Sequence, residues 1–109
     1  MAFIESRANF MEMESFGYEN INVGTESVGF NKEIYSPNGH RPAKRVVVSI
    51  EGADVRLRYD GFIPTSNFGH LILAGEEFVL EGENNISRAK FISVTGDMAK
   101  LTVTYERYI

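Results

Sequence analysis

From residue 15 onward, apolar side chains recur at every second position, and turn residues interrupt them at roughly 8–12-residue intervals. A period of two places alternate side chains on opposite faces of an extended chain. Each run therefore reads as a half-buried strand rather than a helix. The runs cover residues 16–23, a short stretch at Val28 and Phe30, then 44–51, 55–59, 71–73, 78–80, 89–94 and 101–105. Between them lie Gly24, Gly52-Ala53-Asp54, Asp60-Gly61, Gly75, Gly82 with Asn84 and Asn85, and Gly96-Asp97. Residues of these types reach positive φ or bond their own backbone, which is what a turn needs.

Within the runs the faces differ in a way that sets position. Val46, Val48 and Ile50 share one face of 44–51, while the other holds Val47 and Ser49. Two fairly apolar faces predict a central strand. Val55, Leu57 and Tyr59 alternate with Arg56 and Arg58, giving one core face and one cationic solvent face. The three residues 52–54 are short enough to predict a hairpin between these two strands. At the end of the chain, Leu101, Val103 and Tyr105 point inward and Lys100, Thr102, Thr104 and Glu106 outward. Seven to eight short strands with such turns predict an all-β fold, an antiparallel β-sandwich of immunoglobulin-like type, with a barrel as the alternative. The chain of 109 residues is long enough for one such core, placed at 15–109.

Residues 1–14 break the pattern. Phe3, Ile4, Phe10, Met11 and Met13 stand among charges, as in a short amphipathic helix or an extended arm whose apolar side chains need a partner surface. That surface is either the chain's own sandwich or a neighbouring subunit. The leading 40 residues carry six acids against two bases, whereas residues 41–60 carry five bases against three acids. Such opposite segments can register copies of a chain against one another, although mixed charge is also what any solvated surface shows.

Composition excludes several roles. With no cysteine there is no disulfide, thiol chemistry or Cys-ligated zinc. A net charge of -4 disfavours coating nucleic acid, and the charges at Glu5, Arg7, Glu12 and Glu14 interrupt any signal-peptide core or membrane span. His40 and His70 are the two histidines, and neither has a metal-ligand spacing. His40 belongs to a Gly/Pro loop and is expected in solvent; His70 is expected to be half-buried and bonded to backbone. No nucleophile elbow and no phosphate loop is present. Glu81, Glu83, Asn84 and Asn85 gather hard oxygens without the spacing of a calcium loop, so a polar turn is the expectation there. No catalytic residue, cofactor or metal site is predicted.

The most informative stretch is Tyr59-Asp60-Gly61-Phe62-Ile63-Pro64-Thr65. Asp60 can cap a turn, Gly61 can take positive φ, and Pro64 fixes the exit. Phe62 and Phe68 either pack beneath this loop or stay exposed to stack on a sugar ring or meet a protein. On the second alternative Tyr59, Asp60, Phe62 and Phe68 form a ligand loop.

The order Val55-Arg56-Leu57-Arg58-Tyr59-Asp60-Gly61, Pro64-Thr65, Gly69-His70-Leu71, Gly75, Leu80-Glu81-Gly82, Asn85-Ile86, Phe91-Ile92 and Leu101 through Arg107 resembles a group of small virion structural proteins of tailed bacteriophages. The similarity spans about residues 43–107. It implies a non-enzymatic, cofactor-free subunit present in many copies, on the capsid or at the head-to-tail neck or collar, assembled in the host cytoplasm. Its implied partners are capsid, portal or neck proteins and further copies of itself, with no nucleic acid and no membrane. Candidate contacts are Phe3, Ile4, Phe10, Met11 and Met13 of the arm and Arg56 and Arg58 of the cationic strand. The Asp60-Gly61 and Pro64-Thr65 turn is also similar to turns in β-sandwich modules of carbohydrate-active enzymes, which implies a surface glycan as the alternative ligand.

Overall fold

The computed structural model describes residues 12–109. It holds seven strands, β1 (Met13–Val23), β2 (Arg45–Glu51), β3 (Val55–Arg58), β4 (His70–Ile72), β5 (Glu77–Glu81), β6 (Lys90–Ser93) and β7 (Ala99–Tyr108). Two short helices join them, α1 (Lys32–Tyr35) and α2 (Glu83–Arg88). One sheet has the order β1-β7-β2-β5, the other β4-β3-β6, and every pairing is antiparallel. The chain is thus the all-β antiparallel sandwich that the alternation predicts, with β2 between two neighbours as its two apolar faces require.

The connectivity is more specific than an immunoglobulin-like order. Outermost, β1 pairs with β7; next, Val28 bridges to Phe91 of β6; then β2 pairs with β5; innermost, β3 pairs with β4. These four pairings nest inside one another, as in one long antiparallel ribbon folded at its middle. Rolling that ribbon brings β2 against β7 and β3 against β6, which makes the two sheets. This is the double-Greek-key plan of a jelly roll, with its second strand reduced to the bridge at Val28. An immunoglobulin-like sandwich instead sets its first strand beside its second.

The core lies between the sheets. Val46, Val48, Ile50, Leu101, Val103 and Tyr105 face Val55, Leu57, Ile72 and Phe91, all buried. Each such aliphatic side chain contributes about 1.5–3 kcal/mol relative to exposure. The Phe30 ring ties the layers by meeting Phe91 at 5.4 Å and Tyr105 at 6.0 Å, both edge to face. At one edge the Tyr105 hydroxyl donates to the Glu19 carboxylate, which also accepts from the Asn31 amide at the start of α1. Burial, followed by that hydrogen bond, pushes the Tyr105 phenol well above its usual range.

Four local expectations change. Gly52-Ala53-Asp54 is not a hairpin, because β2 and β3 lie in different sheets; Asp54 instead accepts from Ala74 and Val94 amides and so fastens the crossover. Residues 83–85 open α2 rather than a plain turn, since Ile86 is buried and its amide bonds the Gly82 carbonyl. Val28 and Phe30 form a bridge and a core contact, not a strand. Met13 and Glu14 belong to β1 instead of the arm, because β7 extends far enough to pair them with Tyr108 and Arg107. Phe3, Ile4, Phe10 and Met11 lie outside the described residues.

Candidate functional site

Between β3 and β4 the ribbon turns through residues 59–69, at its innermost fold. Arg58, the last residue of β3, points to the outer face and grips Asp60 in a fork: Nε donates to Oδ1 at 3.1 Å and Nη2 donates to Oδ2. The same Oδ1 accepts the Phe62 amide at 3.2 Å, closing an Asx turn around Gly61, whose φ is +92°. The hydrogen bond from Arg58 holds the Asp60 carboxyl below its ordinary range, and the Arg58 guanidinium is raised in turn. Further on, Thr65 and Phe68 exchange backbone hydrogen bonds, and the Thr65 hydroxyl accepts the Asn67 amide. Arg56 reaches across from β3 and donates to the carbonyls of Ser66 and Gly69, at 3.2 and 3.0 Å. Pro64 is buried beneath, and Gly69, at φ +131°, lies where a Cβ would meet Pro64 at 3.1 Å and the Leu57 carbonyl at 3.2 Å.

This framework holds large apolar side chains in water. Phe62 is 66% exposed, Phe68 61% and Ile63 59%, with Leu71 of β4 also exposed. The Arg58 guanidinium lies 5.3 Å from the Phe62 ring centroid and 4.9 Å from that of Phe68, a cation set against both rings. Behind Phe68, the rings of Tyr59 and His70 stack 5.5 Å apart and 15° from parallel. Arg58, Tyr59, Asp60, Asn67, Phe68, Gly69 and His70 line an open groove of about 500 Å³, and Phe62 adjoins it across Arg58.

All four residues of the ligand-loop expectation, Tyr59, Asp60, Phe62 and Phe68, meet here, and Arg58 joins them. Phe62 and Phe68 take the exposed alternative. Arg56 is occupied inside the protein, so it is a strut for the loop and not a free contact. Met13 is half-buried in β1. His70 is exposed and stacked rather than half-buried on backbone, because it opens an edge strand three residues long. His40 is exposed as expected. Sequence reasoning gives Asn67 no role and names Ile63 and Gly69 only as members of the 59–65 stretch and of the ordered elements, without a part in the site; the one available signal is Gly69 directly before a strand. Among the described residues no group of three or more His, Asp or Glu side chains is arranged to hold a metal, and no helix is long and apolar enough to cross a membrane. Comparison with protein-family models, with curated proteins and with solved structures gives no match.

Proposed function

We propose that this chain is a non-enzymatic binding subunit of a tailed-phage virion, present in several copies on the capsid or at the neck, with the 58–71 loop as its recognition surface. One observation carries the binding reading: Phe62, Ile63 and Phe68 stand in water on a loop fixed by its own hydrogen bonds. A flexible loop would let these rings fold back onto the sandwich. A fixed one keeps apolar area exposed at a cost of about 25 cal/mol per Å², which contact with a partner removes. Aromatic side chains and arginine are also the residues that dominate binding energy at interfaces.

The virion setting is supported by the ordered short elements of residues 43–107 and, by analogy of fold alone, by the use of jelly rolls in viral capsids. In this reading the leader residues Phe3, Ile4, Phe10 and Met11 anchor the subunit to its neighbours. Mass spectrometry of purified particles, separated into heads and tails, is expected to find the chain in one fraction. Absence from both overturns the virion assignment. A chain lacking residues 1–11 is expected to fold yet to be depleted from particles, and undiminished incorporation removes the anchoring role.

A further inference from the structure

The recognition loop also sets beside its rings polar atoms that have no partner among the described residues. We propose that the site binds the flat face of a neutral pyranose sugar, with Phe68 and Phe62 as the stacking surface and Tyr59, Asn67 and Arg58 reading hydroxyl groups. The inference rests on the loop being a recognition surface and names the class of its ligand.

Shape, polarity and charge each favour a sugar. The groove of about 500 Å³ is open and within the range of small-ligand sites, room for one or two rings of a longer chain that continues into solvent. Phe68 lines the groove and is mostly exposed, and Phe62, equally exposed, lies beside it across Arg58. Around the same groove, the Tyr59 hydroxyl, the Asn67 side-chain amide, the His70 ring and Nη1 of Arg58 make no hydrogen bond with any described residue. Sealing such groups under an apolar protein surface leaves each one desolvated and unpaired, which opposes binding. A pyranose presents a patch of C–H bonds rimmed by hydroxyls that both donate and accept, so it covers the rings and satisfies their polar neighbours together.

Charge narrows the class. Asp60 fills the Nε/Nη2 edge of Arg58 and balances its charge, and Arg56 is spent on two carbonyls, so a phosphate or carboxylate would meet only the end-on edge of Arg58 with the Asp60 carboxylate beside it repelling it. A neutral ligand meets no such repulsion. Because the loop is already held in place, little ordering cost is left to offset the weak contacts of a single ring.

The test is a titration of the full chain, followed by ¹H–¹⁵N NMR, with the methyl glycosides of glucose, galactose, mannose and N-acetylglucosamine and with short oligomers of each. Saturable shifts confined to residues 58–71 are expected with at least one probe, with dissociation constants of roughly millimolar for single rings. Phe68→Ala is expected to weaken that binding about tenfold or more, and Asn67→Ala by less, while the spectrum of the sandwich stays unchanged. Phe68→Leu keeps the apolar character and removes the flat face, so binding that survives it overturns the stacking role. No saturable shift with any probe overturns the proposal. If no sugar binds but Phe68→Ala releases the subunit from purified particles, the surface contacts protein: the sugar falls and the recognition reading stands. A Phe62→Ala/Phe68→Ala double variant that changes neither sugar binding nor incorporation defeats both.

Discussion

Single residues carry three separable contributions. Tyr105 is buried in the core, and its hydroxyl donates to Glu19. Its raised pKa means that its contribution is complete below the ordinary tyrosine value of 10.0 and declines as pH climbs above it. Alkaline unfolding should therefore coincide with the last tyrosine to ionise in an absorbance titration, and Tyr105→Phe should lose about 0.5–1.5 kcal/mol in urea melts. Asp60 runs the other way. Its lowered pKa makes the fork to Arg58 persist above the usual carboxylate range and dissolve only as pH falls through the lowered value. The Asp60 carboxyl carbon, followed by NMR, should titrate below 3.8, and a midpoint at or above it refutes the fork. Gly69→Ala should cost about 1–3 kcal/mol, since it meets both a positive φ and close backbone. The need for glycine at position 69 was hidden in sequence, because the atoms that crowd it come from Leu57 and Pro64 on other parts of the ribbon.

At the scale of elements, the recognition loop is a hairpin connection braced from below. Arg56 alternates with core residues on β3, and that alternation was legible as a cationic face. Its destination was not, since a period of two gives the side of a sheet and says nothing of which carbonyls fold over it. Arg56→Met should preserve the stem, remove both hydrogen bonds and speed amide hydrogen exchange across residues 61–69, leaving β2 and β7 protected. Exchange that rises equally in all strands would mean that Arg56 holds the whole sandwich. The helix α2 and the crossover at 52–54 escaped the sequence reading for related reasons. Ile86 is one buried residue on a single helical turn, too little for a period, and a three-residue link between strands looks the same whether it stays in one sheet or changes sheets.

For the molecule as a whole, strand number, inward faces and the central place of β2 could be read from alternation, while the nested order could not. Pairing β1 with β7 joins the described chain's two extremes, a contact that no local pattern encodes. Such pairings place the domain among slow folders: single-mixing refolding should take milliseconds to seconds, in the regime of non-local β topologies, and microsecond refolding would contradict the nested plan.

Nesting also decides what can be exchanged. The residues between β3 and β4 are enclosed by every strand pairing and contain only the short Thr65–Phe68 bridge of their own. A longer or wholly different segment spliced between Arg58 and His70 would shift no register elsewhere in either sheet. The sandwich then serves as a fixed handle with a replaceable tip, and a change of specificity is a local edit that the rest of the chain need not accommodate.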